Sequence, residues 1–312
     1  MKDTVRRKIT DLSGLSTEQT NPASNDLDLK SSLEIVRIIN SEDAKVAAAV
    51  ERALPEIAKA IDVIATALQN GGRLIYVGTG TSGRIAALDA AECPPTFSTN
   101  PKTVQFVIAG GVKALGAAVE ANEDSRKFGE AAIAKKKPGK SDVVVGIAAS
   151  GRTPFTIAAL TYARRKGAKT IALACNPNSP LGKAAEIEIV VEVGPEVISG
   201  STRMKAGSAQ KMVLNMLSSG AMTKLGYVYG NLMVNVALKN EKLAERAVII
   251  LQRAAGITRA KAEQAMKAAG NSVPVALVML KAGVTQSRAT QVLKTNRGHV
   301  RNAIAAANSE SA

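Results

Sequence analysis

Arg73-Leu74-Ile75-Tyr76-Val77 runs directly into Gly78-Thr79-Gly80-Thr81-Ser82-Gly83-Arg84. A short apolar run closed by glycines predicts a buried strand that turns into a helix. The glycines permit a tight turn with backbone N–H groups pointing outward. Thr81 and Ser82 add hydroxyl donors, and the helix N-terminus adds positive potential, so the segment reads as an anion cradle. Gly78, Gly80 and Gly83 also match the spacing Gly-x-Gly-x-x-Gly, which is weak evidence alone for a dinucleotide site.

Four further β-rich runs follow: Val104 to Ile108, Asp142 to Ile147, Thr170 to Ala174 and Ile187 to Val191. Between them lie Gly83 to Ala91, Ala114 to Lys135 and Pro154 to Lys166, all of helical composition. Short apolar strands alternating with helices predict an α/β fold with a parallel sheet flanked by helices on both faces. In such sheets ligands sit beyond the carboxyl ends of the strands. A dinucleotide site wants an acid at the end of the second strand, yet that strand ends Ile108-Ala109-Gly110-Gly111. The first loop also lacks the lysine of a P-loop. A sugar phosphate or similar monoester fits it better.

Upstream, Ser32 to Gln69 carries apolar residues at three- and four-residue steps and predicts helix, stopped by Asn70-Gly71-Gly72. Residues 1 to 28 are polar and read as an irregular arm. Downstream the chain reads as helical, from about Thr202 to Lys224 and from Asn231 to Ala254. Shorter helices follow over Thr258 to Ala307, divided at Gly270-Asn271-Ser272 and Gly283. The expected organisation is an N-terminal arm and helix (1–50), a sugar-phosphate-binding domain (51–235) and a helical C-terminal domain (240–312).

The third strand runs into Ala148-Ala149-Ser150-Gly151-Arg152-Thr153-Pro154, again strand, hydroxyl, glycine, hydroxyl and helix start. Ser150 and Thr153 read equally as helix N-caps, but two such loops at neighbouring strand ends favour a shared phosphate. Carboxylates follow both early strands, in Asp89-Ala90-Ala91-Glu92-Cys93-Pro94-Pro95-Thr96 and in Glu120-Ala121-Asn122-Glu123-Asp124-Ser125. The prolines predict a rigid turn after Cys93. If these carboxylates converge, they offer an acid and a base. Taken singly, each glutamate also looks like a surface charge or helix cap. A last dense segment, Gly194 to Lys211, offers Glu196, Ser199, Ser201, Thr202, Arg203 and Lys205 where a strand ends and a helix opens. A basic first turn opposes the helix dipole, so an anion nearby is expected.

Composition narrows the chemistry. The 312 residues include two cysteines, one histidine and no tryptophan. A disulfide framework and a multi-histidine metal site are excluded, and a reducing compartment is expected. Lys and Arg total 41 against 26 Asp and Glu, a net charge of +15. With aromatics at 3% there is little to stack bases on, so no nucleic-acid partner is expected. Leu225 to Leu238 is shorter than the roughly 20 residues that span a bilayer. No apolar stretch follows the basic start of the chain, so neither membrane nor signal peptide is expected, and the location is expected to be cytoplasmic.

The chain resembles the N-acetylmuramic acid 6-phosphate etherase family. The resemblance rests on Thr17-Glu18-Gln19-Thr20-Asn21, the segments around Gly78 to Arg84, Leu88 to Thr96, Glu120 to Ser125 and Gly146 to Pro154, and Gly194 through Lys211. Asn231-Leu232-Met233-Val234 and Asn240-Glu241-Lys242-Leu243 also match. The resemblance implies a sugar isomerase (SIS) domain in a three-layer sandwich, followed by a small helical domain similar to ubiquitin-associated domains. It further implies a cytoplasmic homodimeric lyase without a cofactor or metal. That lyase cleaves the D-lactyl ether of N-acetylmuramic acid 6-phosphate in cell-wall sugar recycling. Glu92 maps onto the family's acid and Glu123 onto its second catalytic glutamate. Thr81, Ser82, Ser150, Gly151 and Thr153 map onto the phosphate site. Glu196, Ser201, Thr202 and Arg203 are further candidates. The rival expectations are a sugar-phosphate isomerase and a non-catalytic regulator. The glucokinase regulatory protein shares the Gly194 to Lys211 segment but carries two SIS domains.

Overall fold

The computed structural model describes residues 14–117, 119, 122–236, 238 and 241–309. The basic residues Lys2, Arg6, Arg7 and Lys8, and Glu120, Ala121 and Asn240 of the motifs, lie outside them. Helices α1 (Ser32–Asp43), α2 (Lys45–Glu51) and α3 (Leu54–Gln69) open the chain after the arm. Ser31 starts α1 with a reciprocal cap: its hydroxyl accepts from the Glu34 N–H, and the Glu34 carboxylate accepts from the Ser31 N–H.

Strand β1 (Leu74–Gly78) leads into α4 (Gly80–Phe97), β2 (Val104–Ile108) and α5 (Arg126–Ala134). Next come β3 (Val143–Ile147), α6 (Pro154–Arg165), β4 (Lys169–Ala174), α7 (Pro180–Ala184), β5 (Ile187–Val190) and α8 (Lys205–Lys224). The strands form a parallel sheet in the order β2-β1-β3-β4-β5. Because side chains alternate along a strand, Leu74 and Tyr76 face one core, with α3, α4 and α8. Ile75 and Val77 face the other, with Ile133 of α5 and Phe155, Leu160 and Ala163 of α6. The expected α/β sandwich of helix, sheet and helix is therefore present.

After α8 come α9 (Glu241–Ala255), α10 (Arg259–Ala268), α11 (Val273–Ala282), α12 (Gln286–Thr295) and α13 (Val300–Ser309), which share a core of their own. Thr258, Ser272 and Thr285 cap α10, α11 and α12 by accepting a backbone N–H in the first turn. His299 sits just before α13, and its Nδ1 accepts from the Asn302 N–H at 3.4 Å. Among the described residues no helix is long and apolar enough to cross a membrane.

Four local expectations are corrected. Ala114 to Lys135 is not one helix: a 3-10 turn covers Gly111–Leu115, Asn122 to Ser125 form a turn, and the Ser125 hydroxyl caps α5. The prolines after Cys93 do not make a rigid turn. Pro94 and Pro95 lie inside the last turns of α4, which ends where Ser98 turns left-handed at φ 53°. Helix α8 opens at Lys205 rather than Thr202. Asn231 is not in a helix, because Gly230 at φ 61° turns the chain back so that Tyr229 pairs with Leu232.

Candidate functional site

Gly78 at the end of β1 is in register with Ile147 at the end of β3, so their following loops emerge side by side. Gly80 and Gly151 take φ of 49° and 66°, a region that side chains disfavour. Thr79 caps α4 and Thr153 caps α6, yet neither hydroxyl makes a capping hydrogen bond. The α4 N-terminus thus keeps backbone donors that no cap side chain takes, which suits an anion, whereas at α6 Pro154 has no N–H and the Phe155 N–H goes to the Glu123 carbonyl. The Thr153 hydroxyl is therefore not spent on capping α6.

The candidate hydroxyls take distinct places. Thr81 and Ser82 lie in the first turn of α4. The Thr81 methyl group rests near Gly207 of α8, 3.4 Å from where a Cβ would stand there. Ser82 is buried, and its hydroxyl donates to Gln210 Oε1 at 2.9 Å. Ser150 Oγ accepts from the Arg152 N–H at 3.2 Å. Gly151 passes so close to Ser179 that an added Cβ would lie 2.3 Å from the Ser179 Cβ.

Glu123 is brought to this place. Its Oε1 lies 3.4 Å from where a Cβ on Gly80 would stand, and its carbonyl accepts from the Phe155 N–H of α6 at 3.0 Å. The turn that replaces the expected helix carries it there. Glu92 is not brought together with it in one chain. It is exposed on α4, twelve residues beyond Gly80, or about 18 Å along the axis.

The Gly194 to Lys211 segment resolves differently from its expected role. Glu196 is fully buried and accepts from the Lys205 and Ala206 N–H groups, both at 2.9 Å. It therefore caps α8 from within, and burial pushes its carboxyl up against the pull of those amides. Lys205 is turned inward onto Glu42. The anion expected beside the basic first turn is thus a pair of the chain's own carboxylates. Ser201, Thr202 and Arg203 lie on the turn before α8, with Arg203 exposed.

Sequence reasoning missed several participants. The arm is laid across the loops: Asn176, after β4, donates to Thr17 Oγ1 and the Ala149 carbonyl, both at 3.1 Å, and accepts from the Ser16 N–H at 2.9 Å. Glu18 Oε2 thereby comes within 3.1 Å of a Cβ position on Gly200. Asp89 is buried and accepts from Tyr76, Asn215 and Ser218 at 2.8 to 3.0 Å, while burial pushes its carboxyl up. Burial likewise pushes the Cys93 thiol up to about 12, which suits packing rather than nucleophilic attack. Asp89 stood in a quoted motif, but its partners lie elsewhere in the chain and no local pattern announced them.

Comparison with known proteins agrees with the fold. Residues 56–164 match the glucokinase regulatory protein N-terminal SIS domain, and residues 134–219 match the SIS domain. An N-acetylmuramic acid 6-phosphate etherase of Photobacterium profundum is 49% identical over 296 residues, covering 95% of this chain and 98% of the relative. One from Bacillus licheniformis is 47% identical over 294 residues, covering 94% and 97%. A phosphoheptose isomerase structure from Francisella tularensis shares the fold at a TM-score of 0.50 and 20% identity, covering 62% of this chain and all of that one. With near-half identity along almost its whole length, the chain belongs to the N-acetylmuramic acid 6-phosphate etherase family.

Proposed function

We propose that the chain cleaves the D-lactyl ether of N-acetylmuramic acid 6-phosphate, giving N-acetylglucosamine 6-phosphate and D-lactate. The observation that carries this reading is the Glu123 carboxylate set against Gly80, at the α4 N-terminus whose backbone donors suit a phosphate. The backbone donors of the α4 N-terminus, with Thr81, Ser82, Ser150, Gly151 and Thr153, hold the 6-phosphate. Binding energy from that remote group then positions the reacting carbons.

An alkyl ether resists simple hydrolysis at neutral pH. Opening of the sugar ring exposes an aldehyde at C1, which acidifies the C2 proton. Glu123 removes that proton, and the C3–O bond breaks. Glu92, in its protonated form, supplies a proton to the departing lactate oxygen. Water then adds at C3 of the unsaturated aldehyde and a proton returns to C2. Acid and base action of this kind is each worth about 10²–10⁴-fold.

The helix geometry bears on where Glu92 acts. Some 18 Å of α4 separates it from the Gly80 turn, so we assign it to the site of a second copy in a homodimer. On this reading residues 51–235 form the sugar-phosphate-binding unit, residues 240–312 form the helical unit, and the protein works in the cytoplasm on recycled cell-wall sugar.

The test is incubation with N-acetylmuramic acid 6-phosphate in oxygen-18 water. D-lactate without label, together with labelled oxygen at C3 of the amino sugar, is the expected result. An isomerase would release no lactate, and a regulator would bind the sugar without turnover. Either outcome would replace the proposal.

A further inference from the structure

Ser82 and Gln210 meet where α4 and α8 cross, and both are buried, Gln210 with 1% of its surface exposed. The Ser82 hydroxyl donates to Gln210 Oε1, while Gln210 Nε2 is buried with no hydrogen-bond partner. This arrangement poses a donor problem. A serine hydroxyl has a single proton, and a phosphate dianion offers only acceptors. While that proton goes to Gln210, Ser82 has none to give a phosphate. At the same time the two N–H groups of the carboxamide go unused, which is costly for a buried donor.

Both difficulties have one remedy. The NH2 group and oxygen of a carboxamide are nearly equal in size, so rotation about the last side-chain torsion exchanges them within the same volume. Nε2 then donates to Ser82 Oγ, and the hydroxyl proton is free to point out of the core. We propose that Gln210 presents Nε2 to Ser82 Oγ when the 6-phosphate is bound, making Ser82 a donor to the phosphate. The inference rests on the reading of Ser82 as a phosphate ligand. Gln210 is then a positioning residue, acting on the substrate only through Ser82.

The test compares kcat and KM for N-acetylmuramic acid 6-phosphate in the parent chain, Gln210→Met, Ser82→Ala and the double variant. Ser82→Ala is expected to raise KM about tenfold or more, the scale of a lost hydrogen bond to a charged group, and Gln210→Met to raise it by a smaller factor, since it removes only the Nε2 donor that orients the hydroxyl. The double variant is expected to be no worse than Ser82→Ala alone. If the Gln210→Met factor persists undiminished beside Ser82→Ala, Gln210 acts only through packing and the inference is overturned. If Ser82→Ala leaves KM unchanged, the phosphate reading itself fails, which is a separate result.

Gln210→Glu keeps the shape and adds a second readout should the methionine variant fold poorly. An ionised carboxylate only accepts, so it holds the Ser82 proton away from the substrate. A protonated carboxyl donates. The KM of Gln210→Glu relative to the parent is therefore expected to fall on acidification. A ratio that stays flat between neutral and acid pH overturns the inference.

Discussion

Lys205 Nζ lies 2.6 Å from Glu42 Oε2, with both side chains buried. The pair pins α1 to the start of α8, and Asn21 of the arm donates to the same carboxylate at 2.9 Å. A lysine that the sequence presents beside candidate site residues is thus spent inside the fold. It fixes the turn from which Ser201, Thr202 and Arg203 project.

Breaking this pair leaves a charge without its partner. Glu42→Gln is expected to lower stability at neutral pH by about 3–5 kcal/mol, measured by urea unfolding. Burial opposes the charge on Glu42, but hydrogen bonds from Lys205, Lys45 and Asn21 outweigh it and hold the carboxyl at about 2. A depressed carboxyl stabilises fully above its ordinary value of 4.5 and loses that contribution as pH falls through about 2. The gap between parent and variant should close across that window. A gap that stays constant would show that the ionised pair is not its source.

Glu92→Gln and Glu123→Gln are each expected to slow lactate release by about 10²–10⁴-fold. Glu92 is exposed on α4, so its variant should unfold at the parent's temperature. Mixing and reassembling the two inactive proteins tests where Glu92 acts. A site shared between copies regains up to about one quarter of parental activity, because half the dimers are mixed and each has one intact site. No recovery would place both glutamates in one chain.

The Thr153 hydroxyl makes no capping bond to α6. Thr153→Val is therefore expected to change stability by no more than about 0.5 kcal/mol while raising KM for the phosphorylated substrate. A large loss in melting temperature with KM unchanged would return Thr153 to a purely structural role.

Gly129 of α5 faces the α6 backbone so closely that an added Cβ would stand 2.1 Å from the Phe155 carbonyl oxygen. Gly129→Ala is expected to cost about 1–3 kcal/mol by forcing the helices apart. Because the Phe155 N–H holds the Glu123 carbonyl, kcat should fall with it. Calorimetry and lactate release read the two effects, and loss of stability alone would uncouple Glu123 from this contact.

The alternation of strands and helices was legible because a doubly covered parallel strand is apolar throughout and its glycine loops announce the turn. The loops from β1 into α4 and from β3 toward α6 followed from the same signal. What hid from the sequence had partners far along the chain: Ser82 and Gln210 are 128 positions apart, Lys205 and Glu42 163. Helical composition over Ala114 to Lys135 concealed the turn that carries Glu123, since only Gly116 and Ser125 mark the break. The separation of Glu92 from Glu123 was equally hidden. Adjacent strands suggested convergence, but α4 runs on through Pro94 and Pro95 and keeps Glu92 far from the Gly80 turn.

The hydrogen bond from Phe155 to the Glu123 carbonyl fastens that glutamate to α6, beside the loop proposed to hold the phosphate. The span from anchor to proton acceptor is therefore set by the backbone, like the marks on a ruler. A sugar with one carbon fewer or more between its ester and its acidic C–H would be seated as firmly, with the wrong atom before the carboxylate.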